Sequence, residues 1–330
     1  MLKDKKILYS AMQSTGNLTL GNYLGALRNW VKLSNEYTCF FCIANLHSLS
    51  VRQDPVKFRK KTKELLAMFI AAGLDPNECC LYIQSTVKAH AELAWILGCY
   101  SYIGELQRMT QFKDKSQKHV ENINAGLFTY PVLMASDILL FQTDIVPIGK
   151  DQKQHLELTR DIAIRFNNIY GDVFTIPEAY IGATGAKINS LAEPEKKMSK
   201  SDENPNGAIY LMDDKDSIIR KFKRAVTDSV GEINYSSSQP GIKNLIEIYC
   251  SCKDIKVEEA LKDFEGLGYK QLKEVVGECV ADTLEPFKNE YNRLLKDSEY
   301  IDNIIKNGSE QASYFAEKTL SKVKRKVGLS

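Results

Sequence analysis

Short unbroken apolar runs alternate with longer amphipathic stretches through residues 1–200. The run over 7–12 has the length and composition of a buried strand. Gln13-Ser14-Thr15-Gly16-Asn17 breaks it, and Thr19 stands as the N-cap of a helix over 20–36. A second strand over 40–46 ends at His47, and Asp54-Pro55 opens a helix over 55–73. A third strand over 80–84 precedes a helix over 90–100. The polar stretch 107–117 reads as a helix and an exposed loop. An apolar helical stretch over 126–141, a strand over 144–149 and a helix over 151–167 follow. This alternation predicts an α/β class chain: a doubly wound, Rossmann-like parallel sheet. Ligands bind such sheets beyond the carboxyl ends of the strands, where Gln13, His47, Gln84 and residues 149–151 should converge.

Beyond the lysine-rich segment at 197–202 the pattern changes. Helices are predicted over 213–225, 241–252, 257–264, 269–294 and 311–327, with almost nothing strand-like, so the second unit is a small all-helical bundle. Its last helix ends in Lys322-Val323-Lys324-Arg325-Lys326, which fits a solvated helix end complementing the dipole as well as a phosphate contact. A chain of 330 residues has room for about two domains. We place the boundaries at 1–196 and 197–307, with a C-terminal helix over 308–330.

Composition narrows the class. The apolar share is 44% and the charged share 26%, those of an ordinary soluble protein. A net charge of +2 gives no case for binding DNA or a membrane through bulk charge. The first apolar run is too short for a signal sequence or a membrane span. Eight cysteines, several inside strongly apolar segments, point to reduced thiols in a cytoplasmic protein. Cys39 and Cys42 have CxxC spacing but lie within a strand-like run with no second pair, so they read as core rather than as a redox or zinc site.

Several groups could carry chemistry. Lys197-Met198-Ser199-Lys200-Ser201 sits between Pro194 and Gly207, and its two ammonium groups on flexible stems suit a polyphosphate. The helix after Gly16 and Gly21 presents free N–H groups to an anion, although the glycines match neither the dinucleotide fingerprint nor the P-loop. Asp137 interrupts an apolar run. It either caps a new helix at Ile138 or aims a carboxylate into a pocket lined by Tyr9, Tyr130 and Met134, a wall suited to a flat ring with one N–H donor. Gly149-Lys150-Asp151-Gln152 follows a strand and opens a helix. Asp151 is a good cap, and Gln152 and His155 share a face where they reach a ligand or each other. No Ser–His–Asp set and no metal-ligand spacing is present among the four histidines.

With these segments in view, the chain resembles the bacterial tryptophanyl-tRNA synthetases, class I aminoacyl-tRNA synthetases, essentially from end to end. Residues 13–27 resemble the family's first signature and Lys197 to Ser201 its second. Residues 149–163 resemble the tryptophan and tyrosine branch, and Tyr130 to Leu139 its tryptophan member. Thr19 and Asn22 hold the positions of the signature histidines, Ser14 stands where many relatives have proline, and Asn45 replaces an aspartate two residues before His47.

The resemblance implies an ATP site at Gln13, Ser14, Thr15, Gly21, Asn22, Gly149, Lys150, Asp151, Ile188, Lys197, Met198, Ser199, Lys200 and Ser201. Lys197, Lys200 and Gln13 would be catalytic. It implies a tryptophan site at Asp137, Tyr9, His47, Tyr130, Met134 and Gln152. It further implies Mg²⁺ accompanying ATP without a dedicated protein site, L-tryptophan and tRNA(Trp) as partners, and a homodimer whose last helix packs back on the catalytic domain. The alternatives are a tyrosine-specific or other class I adenylating enzyme, or a non-catalytic paralogue.

Overall fold

The computed structural model describes residues 5–111, 123–149, 152–180, 188–200, 202 and 204–330. Five parallel strands form one sheet in the order β3-β2-β1-β4-β5, comprising β1 (Ile7–Met12), β2 (Thr38–Ile43), β3 (Cys80–Ile83), β4 (Ile145–Pro147) and β5 (Glu178–Tyr180). β1 pairs on both sides, Leu8 opposite Cys39 of β2 and opposite Ile145 of β4. The chain therefore winds one way from β1 through β3 and the other way from β4. The switch point between β1 and β4 is where a doubly wound sheet opens a crevice for ligands.

The period-two alternation of strand side chains builds two cores. Leu8, Cys39, Phe41, Ile43, Leu81 and Ile83 face one layer, which takes in Trp30 and Leu33 of α2 (Arg28–Ser34) and Leu65 and Phe69 of α4 (Pro55–Ala71). Tyr9, Phe40, Cys42, Cys80, Tyr82 and Val146 face the other, against α5 (Ala89–Gly98), α7 (Ala125–Leu139) and α8 (Lys153–Tyr170). Cys39 and Cys42 thus lie on opposite faces of the sheet, so the CxxC spacing builds no dithiol site. Burial pushes both thiols up, Cys39 to about 12.

Local signals explain most helix starts. Asp54 accepts the Lys57 N–H at 2.8 Å with Pro55 behind it, and Thr19 caps α1 (Leu20–Asn22) with its own N–H on Asn22 Oδ1 at 3.0 Å. A π-helical turn over Tyr23–Leu27 carries this helix into α2. The segment expected as strand through residue 46 leaves the sheet after Ile43 and turns into the short helix α3 (Asn45–Ser48), which includes His47. β5 was not expected, and only Tyr180 in it is even half-buried, so no apolar run marked it.

The helical unit comprises α9 (Lys215–Lys223), α10 (Pro240–Lys253), α11 (Val257–Asp263) and α12 (Tyr269–Lys296), which pack mainly around α12. The last helix, α13 (Ser298–Val327), starts well before residue 311. Asn307-Gly308 reads as a turn, yet the helix runs through it. Gly308 presses against the backbone of β3, where an added Cβ would collide with the Leu81 carbonyl. The missing side chain is what lets α13 cover that sheet edge.

Gly308→Ala therefore tests this packing. Helix propensity alone would favour alanine by about 1 kcal/mol. Overpacking against an unyielding carbonyl costs about 1–3 kcal/mol and should win. A lowered urea midpoint is expected for Gly308→Ala, while Gly104→Ala in α6 (Ile103–Gln107), whose new Cβ meets only Arg108 Nη1 at 3.9 Å, should leave the midpoint unchanged or raised.

Candidate active site

The loop after β1 forms one wall of the crevice. Gly16 has φ +71°, and a Cβ there would lie 3.2 Å from Lys200 Cδ, so a glycine lets the lysine side chain lie flat on the loop. Ser14 is buried, and its hydroxyl has no hydrogen-bond partner among the described residues. Gln13 is exposed at the strand end, and with Ser14, Gly16 and Lys61 of α4 it lines a small cleft. A Cβ added at Gly21 would lie 3.6 Å from Ile188 Cβ and 3.7 Å from Met198 Cβ, so the first helical turn sits close over the lysine segment. Asn22 spends its side-chain oxygen on Thr19, whose N–H (3.0 Å) and hydroxyl (3.2 Å) both reach it.

The lysine segment is pinned at its base. Asn189 bridges Lys197 in antiparallel fashion, Met198 N–H donates to the Ile188 carbonyl at 3.0 Å, and Leu191 N–H donates to Gly207 at 2.9 Å. Met198 and Ile188 are buried, whereas Lys197 and Ser199 are exposed. Lys200 turns inward, and its ammonium donates to the Thr15 carbonyl at 3.2 Å. Burial, and then the charge of Lys61, lower its pKa to about 8. The two lysines thus meet different surroundings, one solvated and one enclosed. Gly149 ends the loop after β4 and accepts the Gln152 N–H at 3.0 Å; Gln152 is the N-cap of α8. Lys150, Asp151 and Ser201 lie outside the described residues.

Asp137 sits at the centre of the opposite wall. α7 starts at the Asn124 cap and runs unbroken past it, so the helix-cap alternative for Ser136-Asp137 is overturned. The carboxylate is 1% exposed. His47 Nε2 lies 2.7 Å from Oδ2, Gln84 Nε2 donates to Oδ1 at 2.7 Å, and His90 Nδ1 is 2.6 Å from Oδ1. Burial by itself would raise its pKa, but the imidazoles of His90 and His47 outweigh burial and hold the carboxyl at about 2. Asp137 is therefore an ionised acceptor inside an apolar wall. His90 was expected only as the start of a helix; its ring faces inward from the first turn of α5, which no single-sequence signal marks.

The neighbouring expectations fall in place around this group. Tyr9 is buried and stacks on Phe141 at 5.6 Å. Met134 is half-buried against the same core. Tyr130 sets its ring edge-on to His47 at 6.2 Å and places its hydroxyl 2.7 Å from His155 Nε2, so His155 points into the core. Asn45, which carried no expected role, locks α3 to the end of β3. It donates to Ser85 Oγ at 2.8 Å and accepts the Ser85 N–H at 3.0 Å.

A switch-point crevice with a basic loop on one side and a buried anionic acceptor on the other defines a nucleotide-dependent class I fold. Residues 2–285 match the family described as "tRNA synthetases class I (W and Y)", and the chain belongs to that family. Within it, the chain is 56% identical over 328 residues to a tryptophan–tRNA ligase of Clostridium tetani, covering 99% of this chain and 97% of that one. Among solved structures it is similar to tryptophanyl-tRNA synthetase from Mycoplasma pneumoniae (TM-score 0.91, 35% identity, 99% and 98% of the two chains). It is also similar to the Campylobacter jejuni synthetase complexed with ADP and tryptophane (TM-score 0.84, 33% identity, 98% and 100%).

The lowered Lys200 pKa gives a direct check. An ammonium lowered to about 8 is half neutral near that pH, so amine-selective labelling followed over pH 6–10 should show Lys200 reacting with a midpoint near 8. An anion beside it favours the charged form, so added inorganic pyrophosphate should move the midpoint upward. A midpoint that stays near 10 would show the amine to be solvated rather than enclosed.

Proposed function

We infer that the chain is a tryptophan–tRNA ligase. It activates L-tryptophan with ATP to tryptophanyl-adenylate and pyrophosphate, then transfers the tryptophanyl group to tRNA(Trp). The observation that carries this is Asp137, a buried, ionised acceptor across the switch point from Lys200. Indole N–H is a donor only, so it pairs with a carboxylate. A side chain without that donor, such as that of phenylalanine, leaves the acceptor unfilled, a difference a polar site can turn into about 10⁴–10⁵ in discrimination.

The reaction needs little covalent help from the protein. The amino-acid carboxylate attacks the α-phosphorus of ATP in line and pyrophosphate leaves, so positioning and charge stabilisation dominate. In this assignment Gln13, Ser14, Thr15, Gly21, Asn22, Gly149, Lys150, Asp151 and Ile188 cradle the nucleotide. Lys200 and Lys197 neutralise the charge growing on pyrophosphate, beside Met198, Ser199 and Ser201. Tyr9, His47, Tyr130, Met134 and Gln152 surround the amino acid. Mg²⁺ takes hard oxygen ligands and enters with the phosphates. It would supply charge to the phosphates while the lysines supply the protein's share.

The nucleotide and amino-acid site is assigned to 1–196, the tRNA-binding unit to 197–307, and 308–330 to a helix returning to the catalytic domain. A cytoplasmic location belongs to the same assignment; no helix among the described residues is long and apolar enough to cross a membrane. Trp95 is 78% exposed, and Tyr102 and Ile103 are exposed nearby in sequence, an apolar set suited to a second copy of the chain. Trp95→Asp should then halve the mass seen in sedimentation velocity; a wild-type chain already monomeric would remove the dimer from the assignment.

Amino-acid-dependent ATP–pyrophosphate exchange, run with all twenty amino acids and no tRNA, tests the activity. Exchange with tryptophan alone is expected. Asp137→Asn should raise the tryptophan KM about tenfold to a hundredfold, the cost of losing a hydrogen bond to a charged group, with the ATP KM within about threefold. Exchange with tyrosine instead would overturn the role of Asp137, and no exchange at all would overturn the enzyme assignment.

A further inference from the structure

Asp137 is more heavily committed than a free acceptor would be. A carboxylate offers about four lone-pair sites. On Oδ1, Gln84 Nε2 donates at 2.7 Å and His90 Nδ1 presses at 2.6 Å, off the direction of a lone pair, so no room is left for a further donor. On Oδ2, His47 Nε2 takes one at 2.7 Å, which leaves one. Which way that last site points is decided by whatever fixes the plane of the carboxylate, and His90 is the best-anchored group touching it.

His90 is fully buried in the first turn of α5. Its carbonyl accepts the Ser136 hydroxyl at 2.7 Å, which ties its backbone to the residue beside Asp137. Its Nε2 lies 3.0 Å from the Tyr82 hydroxyl, and the two rings stack at 5.8 Å with their planes 17° apart. Two lone pairs 2.6 Å apart would repel, so Nδ1 carries the proton that faces Oδ1. The approach is out of line for a straight hydrogen bond, so attraction between proton and carboxylate, more than directional bonding, holds the pair. The ring cannot turn away without leaving Tyr82 or the carboxylate unpaired in the core.

We propose that His90 is a specificity-determining positioning residue: held by Tyr82 and Ser136, it locks the Asp137 carboxylate so that its one uncommitted lone pair, on Oδ2, is what an incoming ring N–H meets. This rests on the assignment of Asp137 to the indole N–H. His90 itself touches no substrate. It acts by crowding Oδ1 and holding it by charge, so that the ligand's donor has a single place to bind and a ring without a donor gains nothing from entering.

The test compares L-tryptophan with L-benzothienylalanine, in which sulfur replaces the ring N–H and the shape is kept. Both are measured by pyrophosphate exchange in the wild type, His90→Gln, His90→Asn, Tyr82→Phe and Asp137→Asn. Asparagine can place its amide nitrogen near the Nδ1 position, while glutamine reaches toward Tyr82 and gives up that donor. In His90→Gln the ratio of kcat/KM for tryptophan over the analogue should fall about tenfold to a hundredfold, through the tryptophan KM, with the ATP KM unchanged. His90→Asn should restore most of it. If the histidine variants do not fold, Tyr82→Phe, which keeps the ring and removes the hydroxyl, should still lower the ratio, and an unchanged ratio there overturns the proposal. A general loss in kcat with the ratio intact would make His90 merely structural. If Asp137→Asn lowers the ratio and His90→Gln does not, only the role of His90 fails. If Asp137→Asn leaves the ratio unchanged, the assignment of Asp137 fails first.

Discussion

A carboxylate in a protein interior has to have its charge met, and meeting the charge of Asp137 draws four separate stretches of chain to one point. His47 comes from the turn after β2, Gln84 from the end of β3, His90 from the start of α5, and Asp137 itself from α7. An isolated buried charge is far too costly to keep, and removing one partner of a buried ion pair costs about 3–5 kcal/mol. These contacts therefore constrain how α7 and α5 sit on the sheet as much as they shape a ligand wall. The partners follow β2 and β3, which places this wall at the carboxyl ends of those strands, the end at which a doubly wound sheet binds ligands.

The opposite wall has the opposite electrostatic logic. Asp137 is an anion whose partners hold its pKa down to about 2, while Lys200 is a cation whose surroundings lower its pKa to about 8 through burial and the charge of Lys61. Among the described residues, the hydrogen-bond acceptor for its ammonium is a neutral carbonyl, that of Thr15. The lysine is therefore under-compensated before any phosphate arrives, and a polyanion in the cleft supplies the missing charge. A folded-state pKa below the unfolded one means that charged Lys200 disfavours the fold at pH values below about 8, a penalty that fades as pH rises from 8 toward the unfolded value near 10.5. Binding energy from an anion offsets that penalty, so stability given up by the empty fold is available to hold pyrophosphate.

How much of this was legible in the sequence depended on whether a feature was local. Strands β1 to β3 announced themselves as short apolar runs, and Asp54-Pro55 and Thr19 marked their helices by cap chemistry that needs only a few residues. The lysine segment and Gly16 were visible for the same reason. Gln84 was expected at a strand end, but its bond to Asp137 joins residues far apart in the chain. His90 had no local mark, because its role exists only once α5 packs on α7. β5 was missed because an edge strand with little burial carries no apolar signature. The last helix was expected only from 311, yet it runs through Gly308, whose missing side chain lets the helix touch the Leu81 carbonyl. Tertiary contact overrode local preference there.

The two units of the chain are less separate than their compositions imply. One apolar core runs from Leu8 of the sheet through Ile188, Met198 and Ile209 to Leu245, Val276 and Ile304 of the helical part. Arg28, behind the nucleotide loop, donates to the carbonyls of Ser251 and Cys252 at the end of α10. Met198 belongs to that core and lies between the two lysines of the loop, so the loop cannot lift as a free lid. Opening it withdraws a buried methionine, at about 1.5–3 kcal/mol, from a core shared with the helices beyond. A contact that shifts those helices therefore acts on the same packing that positions Lys200, so the loop is tied to the helical unit through apolar contact.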